Sequence, residues 1–115
     1  MKILIVDDSL IIRNKIERFL GSEHQIEMAR DGSEAIKIFN SHRPDFLTMD
    51  LTMPNMDGVH CIIEIRKISS DSKILVISAL DDKLTALEAI KNGANGFLGK
   101  PFTQKELEHA LTVLF

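Results

Sequence analysis

Three carboxylates stand at the ends of two apolar runs: Asp7 and Asp8 follow Ile3-Leu4-Ile5-Val6, and Asp50 follows Phe46-Leu47-Thr48-Met49. If these runs are neighbouring parallel strands, all three acids meet at the carboxyl edge of one sheet. Like charges at about 4 Å repel by roughly 1–4 kcal/mol per pair, so the cluster calls for a compensating cation. Oxygen ligands in this number suit a divalent metal, and a carboxylate is also an accepted nucleophile toward a phosphoryl group. Two further polar side chains follow other apolar runs, Ser78 after Ile74–Ile77 and Lys100 after Gly96–Leu98. A hydroxyl donor and an ammonium are what transferring phosphoryl oxygens need, because that chemistry is mostly positioning and charge neutralisation. Singly, each has an ordinary explanation: an Asp after a strand is often a turn or helix-cap residue, and a lone Ser or Lys is commonly solvated. Together they converge.

The elements that would position them alternate five times. Strand-like runs cover Ile3–Val6, Gln25–Ala29, Phe46–Met49, Ile74–Ile77 and Gly96–Leu98. The first, third and fourth are almost wholly apolar, as parallel strands covered on both faces should be. Between them lie helical patterns. Ile12, Ile16, Phe19 and Leu20 form one inward stripe that stops at Gly21, and Leu107, Ala110, Leu111 and Leu114 form another. Thr103 with Glu106 reads as a capping box, Asp31-Gly32 breaks the chain before a helix from about Ser33, and Gly93 ends the helix that follows Asp82. Strand–helix repetition of this kind implies an α/β, doubly wound, five-stranded parallel sheet with five helices and right-handed crossovers. Ligands of such sheets bind beyond the carboxyl ends of the strands, where Asp7, Asp8, Asp50, Ser78 and Lys100 are expected.

Bulk properties narrow the classes. A chain of 115 residues that is 44% apolar and 27% charged suits one globular domain spanning 1–115, with no second module expected. No apolar run approaches the roughly 20 residues of a membrane span, and the N-terminus has no signal-like apolar region, so no membrane partner is expected. Fourteen basic against seventeen acidic residues give a net charge of −3, with no basic run beyond two residues, which argues against direct nucleic-acid binding. The single Cys61 forms no internal disulfide and fits a reducing cytoplasm.

Four segments in order, Val6-Asp7-Asp8-Ser9, Met49-Asp50-Leu51-Thr52-Met53-Pro54-Asn55-Met56-Asp57-Gly58, Ser78-Ala79 and Lys100-Pro101-Phe102, resemble the receiver domain of two-component response regulators. The likeness extends over essentially the whole chain. It implies a flavodoxin-like sheet of order 2-1-3-4-5, an order that a chemotaxis member of this family illustrates among general fold rules. It also implies that Asp50 accepts a phosphoryl group from a histidine kinase or a histidine phosphotransfer protein. Asp8, Asp50 and the backbone carbonyl of Thr52 would hold Mg²⁺, for which Mn²⁺ can substitute, with Asp7 acting through metal-bound water. Ser78, Ala79 and Lys100 would bind the phosphoryl group, Ser78 and Phe97 would switch, and Lys100-Pro101 would be a cis peptide. The switched face, made by the fourth helix, fifth strand and fifth helix, would bind a downstream protein. The protein would catalyse only its own phosphorylation and dephosphorylation and would otherwise be no enzyme. It would be monomeric, with a phosphorylation-dependent dimer open, and stand-alone in the chemotaxis or phosphorelay manner.

Other positions carry smaller expectations. Leu10 and Ile11 face outward on the first helix beside the site, where they would dock on a kinase's helices. Leu80 and Thr52 would flank the path of attacking water, a bulky Leu80 slowing hydrolysis. Cys61 reads as a packed thiol, His24, His42, His60 and His109 as surface residues, and the methionines as core and loop filling. Two other readings compete. One is a receiver belonging to a larger DNA-binding regulator or hybrid kinase. The other is a Mg²⁺-dependent aspartyl-nucleophile phosphatase, which would need a second acid two residues after the nucleophile, where this chain has Thr52.

Overall fold

Runs that are apolar at almost every position become the interior strands of a parallel sheet. The computed structural model describes residues 1–79 and 81–115 and places β1 at Lys2–Val6, β2 at Gln25–Ala29, β3 at Phe46–Met49, β4 at Lys73–Ala79 and β5 at Gly96–Lys100. All pairings are parallel and the order is β2-β1-β3-β4-β5. Five helices connect and cover the strands: α1 Leu10–Leu20, α2 Gly32–His42, α3 Gly58–Ile68, α4 Lys83–Lys91 and α5 Gln104–Leu114.

The period-two alternation of each interior strand divides the core. Leu4, Val6, Leu47, Met49, Ile74 and Val76 point toward α2, α3 and α4, where they meet Phe39, Ile62, Ile65 and Ala89. Ile3, Ile5, Phe46, Leu75 and Ile77 point the other way, onto Ile16, Leu20 and Leu107 of α1 and α5. A fully buried Ile, Leu or Phe contributes about 1.5–3 kcal/mol relative to an exposed one. Two such cores outweigh the few kcal/mol that crowding acids at one sheet edge costs.

Helix ends follow local chemistry. Ser9, Asp31, Asp57 and Thr103 each accept the amide three residues on, and Thr103 with Glu106 completes the capping box. Gly21 ends α1 at φ +83°, a conformation side chains resist. The last two strands run further than their apolar cores. The ladder continues through Ser78 opposite Gly99 and Ala79 opposite Lys100, so Ser78 and Lys100 lie inside the strand ends rather than past them. Backbone pairing between neighbours sets that limit, and side-chain polarity does not oppose it.

Candidate functional site

The acids meet at the carboxyl edge of two neighbouring central strands, β1 and β3. Asp7 and Asp50 directly follow β1 and β3, and their amides continue the ladders by donating to Ala29 O at 3.1 Å and Val6 O at 2.9 Å. That pairing fixes both Cα positions. Asp7 and Asp50 are buried while Asp8 is exposed, and one oxygen from each of the three lies within 4.8 Å of the others. A trio of carboxylate oxygens at this spacing is a fit donor set for a hard divalent cation that keeps part of its water shell.

The loop after Asp50 has to pass close to its own helix. A Cβ on Gly58 would collide with the carbonyl oxygen of Asp50 and stand 2.7 Å from Leu51 Cα, so only glycine fits where α3 begins. The Gly58 amide donates to Leu51 O at 3.0 Å and closes the turn. Asn55, at φ +70°, takes the left-handed conformation that asparagine tolerates better than most residues. Thr52 follows on this loop, exposed, its amide 3.5 Å from Asp50 Oδ1.

Lys100 reaches the cluster from the end of β5. Its ammonium lies 2.9 Å from Asp7 Oδ2 and 3.5 Å from Asp50 Oδ1. Burial pulls the Lys100 pKa down, but its hydrogen bond to Asp7 and the charges of Asp50 and Asp7 outweigh burial and leave it raised. The Asp50 carboxyl is pushed up to about 6: burial contributes most, the negative charge of Asp7 adds to it, and Lys100 and the Thr52 amide offset only part. An added positive charge beside Asp50 would therefore favour its ionised form. The shorter Lys100 contact goes to Asp7, so the lysine braces the cluster and leaves Asp50 incompletely paired.

Around this centre stand the remaining expected residues. Ser78 is buried near the end of β4, and exposed Ala79 follows, its carbonyl accepting the Asp82 amide at 3.1 Å. Phe97 pairs with Val76 and is 37% exposed, turned toward solvent beside a groove of about 350 Å³ against α5. The Lys100-Pro101 peptide is cis. Leu10 and Ile11 are exposed at the start of α1. Leu80 lies outside the described residues. Cys61 is fully buried, and burial first, with nearby acids adding, pushes its thiol up to about 12. His42, His60 and His109 are exposed, whereas His24 is half-buried with Nδ1 3.2 Å from the Met1 amino group.

Two contributors were not foreseen. Arg13, one turn into α1, donates from Nη1 to the Asp7 carbonyl at 2.7 Å and steadies the first acid's backbone. Its i+4 spacing from Ser9 was the only available hint. Asp82 accepts from both Ser78 Oγ at 3.2 Å and Thr52 Oγ1 at 3.4 Å. As a loop acid before a helix it reads as a cap, and nothing in its spacing points to those hydroxyls.

Comparison with known proteins adds to the geometry. The family model for the response regulator receiver domain matches residues 3–112. The chemotaxis protein CheY of Thermotoga maritima is 40% identical over 113 residues, 96% of this chain and 93% of that protein. Response regulator MprA of Mycobacterium avium is 37% identical over 108 residues, which cover 93% of this chain but 47% of that longer protein. Among solved structures, the Vibrio cholerae chemotaxis protein CheY4 superposes with a TM-score of 0.92 at 31% identity, covering 99% of this chain and 98% of the other.

Proposed function

This chain belongs to the response regulator receiver domain family, and from that premise we propose that Asp50 is its phosphoacceptor. Receiver domains act in two-component signalling with histidine kinases and downstream targets, as signalling proteins rather than classical enzymes, and they bind Mg²⁺ at an acidic pocket. The reading for this chain is a chemotaxis-type receiver. The observation that carries the assignment is the placement of Asp50: buried, pushed up to about 6, 3.5 Å from Lys100 and within metal-sharing distance of Asp7 and Asp8.

The cation would be held by Asp8, Asp50 and the Thr52 backbone carbonyl, with Asp7 acting through water; Mn²⁺ would serve in its place. Bound there, it would supply positive charge to the phosphoryl oxygens and favour the ionised, nucleophilic form of Asp50. An Asp50 oxygen then forms the bond to phosphorus as the phosphorus–nitrogen bond to the donor histidine breaks, and the electron pair leaves with the imidazole. Lys100, already 3.5 Å from Asp50 Oδ1, neutralises charge on the transferred group. The Ser78 hydroxyl and Ala79 amide contribute hydrogen-bond donors on the β4 side.

Output follows as a shift between two conformations that Ser78 and Phe97 bias. The face that would meet a target carries exposed Leu84, Leu87 and Ile90 on α4, Phe97 on β5 and Val113 on α5. The kinase or phosphotransfer partner would dock at Leu10 and Ile11, beside the acids. No helix among the described residues is long and apolar enough to cross a membrane. The protein would work in the cytoplasm as a monomer, or as a dimer once phosphorylated. Incubation with acetyl phosphate and Mg²⁺, followed by intact-mass measurement, tests the assignment. Wild type is expected to gain one phosphoryl group and Asp50→Asn none; an equal gain in both would refute it.

A further inference from the structure

Four of the five helices begin alike. The cap side chain accepts the amide three residues on: Ser9 from Ile12, Asp31 from Glu34, Asp57 from His60 and Thr103 from Glu106. The fifth, α4, has a cap residue of a favourable type in Asp82, yet at φ −91° and ψ 35° its backbone lies outside the extended conformation of the other caps, and its side chain makes no capping bond among the described residues. Its Oδ2 is occupied by two hydroxyls, Ser78 Oγ at 3.2 Å and Thr52 Oγ1 at 3.4 Å. Ser78 belongs to β4, Thr52 to the loop that follows Asp50, and Asp82 to the threshold of α4. One carboxylate oxygen thus ties three elements together at the edge of the acidic site.

A serine hydroxyl has a single proton to donate. Ser78 cannot give it to Asp82 and to a phosphoryl oxygen at the same time. We infer that Asp82 is a positioning residue that holds the unphosphorylated state: it competes with the phosphoryl group for the Ser78 hydroxyl, and on release it caps α4. The inference rests on Asp50 being the phosphoacceptor. Both partners of Ser78 are charged oxygens, so the exchange trades one charge-assisted bond for another and the two states stay close in free energy. A smaller gain follows at α4. Once the Asp82 backbone turns to the extended cap conformation, a freed carboxylate can accept the amide of Thr85, three residues on, and complement the positive end of the helix. Leu84 and Leu87, 84% and 59% exposed, lie within the first two turns of that helix. A change at Ser78 therefore reaches the exposed face through one side chain.

The test uses the full chain with beryllofluoride and Mg²⁺ as the phosphoryl mimic, with affinity read by calorimetry and amide exchange at Thr85 read by NMR. Asp82→Ala is expected to bind the mimic about fivefold more tightly than wild type, as loss of a half-exposed charged hydrogen bond implies. In the Ser78→Ala background the same substitution should change nothing. A mere loss of negative charge would strengthen binding in both backgrounds, and that outcome overturns the inference. Asp82→Asn, which keeps an acceptor oxygen and the ability to cap, should fall between. Thr85 exchange should slow on ligation in wild type and stay unchanged in Asp82→Ala; no slowing in wild type counts against the release step. Equal affinity of wild type and Asp82→Ala refutes the inference while leaving the phosphoacceptor assignment intact. Failure of wild type to bind the mimic refutes both.

Discussion

The ionisation of Asp50 governs what the site can do before any partner arrives. Burial and the neighbouring Asp7 hold its carboxyl at about 6, against an ordinary value of 3.8, despite Lys100. In the unfolded chain the same carboxyl ionises near 3.8, so between these two values the folded state binds the extra proton. Stability is then fully present below about 3.8 and falls as pH rises through about 6. Two pKa units correspond to roughly 3 kcal/mol. Asp50→Asn, which mimics the protonated side chain, is therefore expected to unfold about 2–3 kcal/mol later than wild type at neutral pH with chelator present, and equally at pH 4. Urea titrations at the two pH values check this; a variant no more stable at neutral pH would contradict the assigned strain. Asp50, Asp8 and Lys100 were legible because each ends an apolar run. Asp82 was not, since an isolated loop acid has no period and its partners come from two other elements.

At the scale of elements, the interior strands were readable because they are covered on both faces and so are apolar at almost every position. Their lengths were less so. Ser78 and Lys100 extend β4 and β5 through the Ser78–Gly99 and Ala79–Lys100 pairings, and such backbone bonds are indifferent to side-chain polarity. The edge strand β2 alternates and was found at its observed bounds, as a strand with one solvated side should be. The exception within β3 is Thr48, whose hydroxyl is fully buried and bonded to no other atom among the described residues. Leaving a hydroxyl without a partner in an apolar setting costs about 1–3 kcal/mol. Thr48→Val, nearly the same shape, is expected to raise stability by about 1 kcal/mol without altering phosphorylation. Thermal or urea unfolding checks it; a loss of stability would mean that the hydroxyl is satisfied.

The whole molecule couples these parts because the site sits where four strands end, on a sheet held rigid by two cores. Strand order and helix number were as expected from the family resemblance; what each surface meets depends on partners, and one chain does not carry that information. A cation bound only by the folded state must stabilise all of it. At about one hundred times its dissociation constant, Mg²⁺ is expected to add about 2.7 kcal/mol to unfolding, and Asp8→Asn to abolish most of that gain. A wild-type melting midpoint indifferent to Mg²⁺ would contradict the proposed metal site. Every role proposed for the site depends on which atom takes the phosphoryl group. Borohydride reduces an aspartyl phosphate to homoserine and leaves a free carboxylate untouched, so tandem mass spectrometry of reduced, acetyl phosphate-treated protein locates the acceptor. Homoserine at position 50, formed only when Mg²⁺ is present, is the predicted result; homoserine at position 7 or 8, or a mass gain with position 50 unmodified, would contradict it.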